Sequence, residues 1–173
     1  MSSTRMERLL LSVMGVLFVA LGYVVVDAFR DKVVDVGDKA PDFQITADNG
    51  RALSRSDFGG RLLVLNFWAT WCPPCIEEMP SLDQFQRRFA ASGVVVAGVS
   101  VDTNERAYRE FLRKAGVSFL TARDPEARIS SSYGTFKYPE TYVIDSRGKV
   151  VRKIIGPADW MDAKMVSYIQ SLL

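Results

Sequence analysis

Histidine is absent from the 173 residues, and cysteine occurs only twice, at Cys72 and Cys75. No imidazole is therefore available to ligate a metal or relay a proton. Two thiolates alone do not complete a tetrahedral zinc shell, so a mononuclear site would need carboxylates or a second chain. Charge of one sign is also missing. The 22 basic and 20 acidic residues are scattered without long runs, for a net +2. Nucleic-acid binding needs a clustered basic face, which this chain lacks. There is no internal repeat or low-complexity tract.

What is present is an apolar chain, 48% hydrophobic, able to fill a packed core. Its N-terminus stands apart: from Leu9 to Val26, "LLLSVMGVLFVALGYVVV", eighteen residues pass without a charge. As a helix this run rises about 27 Å, close to the thickness of a bilayer core. A core helix would show a polar face, and only Ser12 interrupts this one. Arg5 and Arg8 precede the run, whereas Asp27, Arg30, Asp31 and Lys32 come after it with no net charge. The positive-inside rule keeps residues 1–8 cytoplasmic and exports the remainder of the chain. The expected organisation is a transmembrane anchor over 9–26, a linker over 27–35 and one folded domain over 36–173. A cleavable signal peptide is the alternative, since Ala20-Leu21-Gly22 loosely fits a small-x-small cleavage site. Against it, the apolar run continues through Val26 with no polar region. Both readings place the domain outside the cytoplasm, single-pass in the inner membrane if the anchor is retained.

Outside the cytoplasm thiols are swept into disulfides. A Cys72–Cys75 bridge closes a loop too short to restrain much unfolded-chain entropy, so it has little value as a staple. A redox pair is the remaining reading, and C-x-x-C at a strand-helix corner is its sequence form. The flanks supply that corner. "RLLVLNFWA" (61–69) is a dense apolar run expected of a strand buried on both faces. From Cys75, apolar residues recur at Met79, Leu82, Phe85 and Phe89, with helical spacing. Cys72 then falls near the N-cap and Cys75 in the first turn, with Pro73 and Pro74 where backbone N–H groups lack helical acceptors anyway. Pro80, one turn on, predicts a kink. The helix N-terminus favours the Cys72 thiolate, while Cys75, among apolar groups, keeps its proton. The expected chemistry is thiol-disulfide exchange: Cys72 attacks, a mixed disulfide forms, and Cys75 resolves it.

"NFWATWCPPCIEEMP" (66–80), together with "YPETYVID" (138–145), resembles the TlpA/ResA/CcmG group of membrane-anchored, thioredoxin-like proteins. The resemblance runs from about Val36 to the C-terminus. It implies an α/β thioredoxin-like fold, a central mixed sheet flanked by helices, with one transmembrane helix. On that frame, "DFQITADNGRALSRSDFGG" reads as an added N-terminal β-hairpin turning at Asn49-Gly50. "GVVVAGVSVD" (93–102) is a second buried strand, and "NERAYREFLRKAG" (104–116) an amphipathic helix ended by Gly116. A short strand at "VSFLT" (117–121) and a helix near "PEARISSSYG" (125–134) come next. "TYVIDSRGKVVRKIIG" is an antiparallel hairpin turning at 146–148, and "PADWMDAKMVSYIQSLL" a closing helix.

By sequence alone the Tyr138-Pro139 bond is expected trans; the resemblance implies a cis proline beside the redox pair. Tyr138 would then offer its backbone to an extended substrate peptide. Its ring, where the group more commonly has a small or apolar residue, would narrow the groove. Thioredoxins proper carry a buried Asp six residues before the first cysteine. Here Asn66 stands there and cannot take the proton that Cys75 must lose. Glu78 matches the acidic position of the group motif and is the candidate for proton transfer and for tuning the thiols, or else a solvated helix-surface charge. Glu140 is either part of the substrate groove or a sheet-edge charge, and Glu77 faces solvent. Trp71 shields the sulfur and offers partners an apolar platform, Trp68 packs in the core, and Trp160 lies in the last helix. The substrate-binding candidates are thus Trp71, Tyr138, Pro139 and Glu140.

The resemblance implies a reductant of client-protein disulfides, recharged by a membrane thiol carrier, needing no cofactor or metal. Its typical clients are apocytochrome c haem-attachment cysteines or copper-site cysteines. Two alternatives remain. A Cu(I)-delivery protein would use both thiolates, although such proteins generally add a distant His and space their cysteines further apart. A peroxiredoxin-like peroxidase shares "GDKAPDF" near residue 40 but usually has a Pro-x-x-x-Thr/Ser-x-x-Cys loop, which is missing.

Overall fold

The computed structural model describes residues 3–28 and 33–173, in two compact units, Met1–Lys32 and Val33–Leu173. The first holds helix α1 (Ser3–Ala28). Within it, Met6–Val25 is long and apolar enough to cross a membrane. The Ser12 hydroxyl is satisfied inside the helix by donating to the Arg8 carbonyl at 2.9 Å. Residues 29–32, the middle of the expected linker, lie outside the described residues.

The second unit begins with packed chain. Val34 is buried, and its N–H donates to the Tyr133 carbonyl at 3.0 Å. A small antiparallel hairpin comes next, β1 (Gln44–Thr46) and β2 (Ala52–Ser54). Its turn is Asn49-Gly50, where Gly50 takes the positive φ of 80° that the tight turn requires. The hairpin docks through Asp48, which accepts from the Tyr108 hydroxyl (2.5 Å) and the Thr121 hydroxyl (2.7 Å).

The central sheet has five strands: β3 (Leu62–Trp68), β4 (Val94–Ser100), β5 (Leu120–Arg123), β6 (Glu140–Ile144) and β7 (Val150–Ile155). They lie in the order β5-β4-β3-β6-β7, with β3, β4 and β5 parallel, and β6 antiparallel to both β3 and β7. Helix α2 (Pro73–Phe89) crosses from β3 to β4, and α3 (Glu105–Ala115) from β4 to β5. The short α4 (Arg128–Ser132) precedes β6, and α5 (Ala163–Gln170) closes the chain.

All seven residues of β3 are buried, and period-two alternation assigns them to two layers. Leu62, Val64 and Trp68 join the core cluster containing Cys72, Cys75, Met79, Leu82 and Phe85. Leu63, Leu65 and Phe67 join the opposite cluster, under Val34, Phe43, Tyr133 and Tyr142. Asn66 falls on the first, α2-facing side. Gly98 in β4 is required there by close approach, since a Cβ would sit 2.8 Å from the Phe119 ring and 3.1 Å from Trp68 Nε1.

Two features of the helices and strands differ from expectation. The strand expected over 117–121 begins only at Leu120. Ser118 is engaged elsewhere, donating its N–H (2.5 Å) and hydroxyl (2.7 Å) to the buried Asp83 of α2. The closing helix begins not at Pro157 but at Ala163, capped by Asp162, whose carboxylate accepts the Lys164 N–H at 2.9 Å. Residues 157–162 instead form a loop across α2, and Trp160 sits in that loop rather than in the helix. At Pro80, α2 continues without interruption. The amphipathic α3 has the expected ends: Asn104 caps it through the Ala107 N–H (3.1 Å), and Gly116 stops it in a left-handed conformation.

Candidate active site

The two cysteines form a disulfide with their Cα atoms 5.3 Å apart. Cys72 is the N-cap of α2, and Pro73 and Pro74 occupy its first positions. The Cys75 N–H donates to Cys72 Sγ at 3.3 Å. The Cys72 carbonyl also accepts from the Cys75 and Ile76 N–H groups, at 3.0 and 3.2 Å. One first-turn N–H, that of Cys75, and the positive end of the helix thus face that sulfur, an environment that stabilises a thiolate.

The loop before Cys72 is pinned by a carboxylate that sequence reasoning did not single out. Asp102, buried beyond the end of β4, accepts from the Thr70 N–H (2.9 Å), the Thr70 hydroxyl (2.6 Å) and the Ser100 hydroxyl (2.6 Å). An acidic residue just after a buried strand was the available signal. It carried no hint of its partner 32 residues away.

Glu78 lies one turn beyond Cys75 and is buried rather than solvated, at 4% exposure. Its Oε1 accepts from the Asn66 amide (2.8 Å), and its Oε2 from the Ala158 N–H (3.0 Å). Asn66 also donates to the Thr141 hydroxyl at 2.9 Å, so one amide ties α2 to both β3 and β6. Burial pushes the Glu78 carboxyl pKa up, opposed by the Ala158 and Asn66 donors. The Trp160 indole N–H adds to that opposition without reaching hydrogen-bond geometry. The 157–162 loop covers this carboxylate, and the backbone N–H of Trp160 donates to the Ser81 hydroxyl at 3.2 Å.

The Tyr138-Pro139 bond is cis. Phe67 pairs with Glu140 in the β3–β6 register. Pro139 immediately precedes β6, at the end of the sheet where β3 leads into the redox corner. Trp71 is 63% exposed, and its ring meets Tyr138 edge-on at 6.0 Å between centroids. Trp68 is fully buried.

Glu140 corrects both expectations made for it. It is buried on the sheet face opposite α2, where its Oε1 pairs with Lys153 Nζ (2.9 Å) and accepts from the Tyr142 hydroxyl (3.2 Å). Lys153 also donates to the Val34 carbonyl at 3.0 Å. Burial pulls the Lys153 pKa down, but its bonds to Glu140 and Tyr142 outweigh that and hold it above the ordinary value. Glu140 therefore braces the strand after the cis proline from behind and does not line the groove. Its side was not legible because strand register, which only the fold fixes, decides it.

Among the described residues no group of three or more His, Cys, Asp or Glu side chains is arranged to hold a metal ion. Residues 36–153 match the family model described as AhpC/TSA family. The chain belongs to that family. Within it, the chain is 34% identical over 143 residues to the thiol-disulfide oxidoreductase ResA of Bacillus subtilis strain 168, covering 82% of this chain and 80% of that one. It is 34% identical over 154 residues to ResA of Bacillus anthracis, covering 87% and 89%. A crystal structure from Chlorobium tepidum, assigned as a thiol:disulfide interchange protein DsbE, superposes with a TM-score of 0.75 at 32% identity. That match covers 80% of this chain and 98% of the other. The protein is a ResA-like thiol-disulfide oxidoreductase with a thioredoxin-like fold, and its partners are client proteins with disulfides.

Proposed function

We propose that the protein is anchored by α1, with its N-terminus cytoplasmic, and reduces client disulfides outside the cytoplasm. Cys72 is the nucleophile. Its thiolate forms a bond to one client sulfur, and the other client sulfur leaves and is protonated. Glu78 takes the Cys75 proton, and Cys75 Sγ attacks Cys72 Sγ. The client's first sulfur leaves as a thiolate, and the Cys72–Cys75 disulfide closes. A membrane thiol carrier then returns two electrons and two protons to the pair. Trp71, Tyr138 and Pro139 form the client-facing surface, with the Tyr138 backbone available to an extended segment.

The single observation that carries this reading is the buried Glu78 carboxylate one helical turn from Cys75. It supplies the proton acceptor that Asn66 cannot. The relatives are named ResA and DsbE, and with the motif resemblance this favours haem-attachment cysteines of apocytochrome c as clients. Replacing Cys75 by Ser in the full-length chain should leave clients covalently attached to Cys72. Apocytochrome c or haem-ligation components in that trap support the assignment. Copper-oxidase subunits would move it to copper-centre assembly, and a broad mixture of envelope proteins to general reduction. A measured potential near the strongly oxidising value of about −120 mV would overturn reduction as the direction.

A further inference from the structure

Cys72 is the sulfur that must be attacked when the oxidised pair is recharged, yet in the disulfide form only 5% of the residue is exposed. Two aromatic rings stand beside it, on the preceding residue and on Tyr138. Trp71 stands 63% exposed with its ring edge against Tyr138. Tyr138 in turn packs against the core cluster that contains both cysteines. The two rings differ in how they are held. The Tyr138 hydroxyl lies 3.3 Å from the Ser130 hydroxyl of α4. Ser130 is itself fully buried and donates to the Ala127 carbonyl at 3.2 Å. Tyr138 is thus fixed at its base by the strand start and at its tip by α4. Trp71 has a fixed backbone, because Thr70 is clamped by Asp102 and the Cys72 N–H donates to the Ala69 carbonyl at 3.2 Å. Its side chain makes no comparable polar anchor. One leaf is stationary and the other turns on a rigid hinge.

We infer that the Trp71–Tyr138 ring pair is a gate over the oxidised disulfide that selects the reductant. Closed, it withholds Cys72 Sγ from small thiols, which gain too little from binding to displace an indole. A protein dithiol whose cysteine lies on an apolar extended segment displaces Trp71 and replaces the Trp71–Tyr138 contact with its own, recovering what the opening costs. The oxidised domain is thereby kept from equilibrating with small thiols and is reserved for macromolecular exchange. The inference rests on Cys72 being the attacked sulfur, as it is in the proposed function.

The test uses the full-length oxidised chain in detergent, with acid quenching and thiol alkylation to follow reduction by glutathione, by dithiothreitol and by reduced thioredoxin as the protein dithiol. Trp71→Ala and Tyr138→Ala should each accelerate reduction by both small thiols by about three- to tenfold, the range expected when a mostly closed state becomes open. Reduction by thioredoxin should gain less, because its apolar segment loses the ring it docks on, so the ratio of small-thiol to thioredoxin rates rises. Tyr138→Phe, which keeps the ring but loses the Ser130 anchor at its tip, should give small-thiol rates between those of the parent and of Tyr138→Ala. The equilibrium potential against glutathione should stay fixed, since a gate alters rates in both directions. Small-thiol rates within about twofold of the parent in both alanine variants would overturn the gate, as would a potential shift large enough to account for the acceleration. Trp71→Ala, at an exposed position, keeps the test valid should Tyr138→Ala fail to fold. Failure of the Cys75→Ser trap to capture any client would sink the proposed function while leaving these rate ratios readable.

Discussion

The Asn66 side-chain amide donates to the Glu78 carboxylate across 2.8 Å, from the strand beneath α2 to the turn that succeeds Cys75. Because the same amide also donates to Thr141, both of its N–H groups are committed. The carboxylate is therefore held on the α2-facing side of the sheet as an acceptor and has no route to a solvated surface rotamer.

Glu78→Gln removes the proton acceptor while keeping the side chain's shape. The resolving attack by Cys75 should slow by about 10²-fold, at the low end for general-base contributions. Capture of Cys72 by an alkylating reagent should change far less. Single-turnover measurement of mixed-disulfide decay separates the two. Unchanged decay would remove Glu78 from the reaction.

The same substitution has a pH signature in stability. The folded-state pKa of Glu78 is raised by burial, so the folded chain retains a proton that the unfolded chain has already released. Stability therefore falls as pH rises from the ordinary carboxylate range through the folded value, and the penalty is complete above it. Glu78→Gln has no proton to lose there and escapes this pH-dependent penalty, while its NH2 must face one of the two N–H donors that the carboxylate accepts. The stability difference, variant minus parent, should therefore fall as pH drops from the folded-state value of Glu78 to the ordinary glutamate value and be constant below it. Urea titrations of both chains at several pH values check the sign.

Asp102→Ala strips the acceptor from the Thr70 N–H and hydroxyl and from the Ser100 hydroxyl. Leaving buried donors unpaired costs about 1–3 kcal/mol each, so a clear loss of stability is expected. Because the hinge before Trp71 is freed, the Cys72 alkylation rate should also become less dependent on the Trp71 ring. Chemical denaturation and alkylation kinetics on one preparation test both.

Lys153→Met leaves Glu140 buried without its cation, and breaking a buried pair from one side costs about 3–5 kcal/mol. The double variant Lys153→Met, Glu140→Gln should recover most of that loss, because the uncompensated charge is gone. Equal destabilisation of the single and double variants would show that Lys153 matters for packing against Tyr142 and Val34 and not for charge.

Features encoded over a few residues were legible in advance. Cys72 as N-cap, the two prolines behind it, the Asn49-Gly50 turn and the Asn104-to-Gly116 bounds of α3 are all determined by neighbours within one or two turns. The features left open or misplaced depend on partners far along the chain. Glu78 is buried because Ala158 arrives from 80 residues away. The closing helix is short because the Ala158 and Trp160 N–H groups donate to Glu78 and Ser81 of α2. The fifth strand starts late because Ser118 is held by Asp83. Glu140 looked like a groove or edge charge until the β3–β6 register put it behind the sheet. Periodicity names a face, but only packing says what that face meets.

The atom on which α2 begins is the atom that changes partner at every turnover. Cys72 Sγ accepts the Cys75 N–H at 3.3 Å, so folding and electron transfer form one thermodynamic square. Whatever the native structure adds to the dithiol over the disulfide reappears as a potential shifted toward an oxidant, and the converse shifts it toward a reductant, about 30 mV for each 1.4 kcal/mol. A reductant of this design must be the sturdier molecule when its sulfurs are joined. Unfolding curves of the two redox forms thus report the direction of electron flow with no client or carrier in the tube.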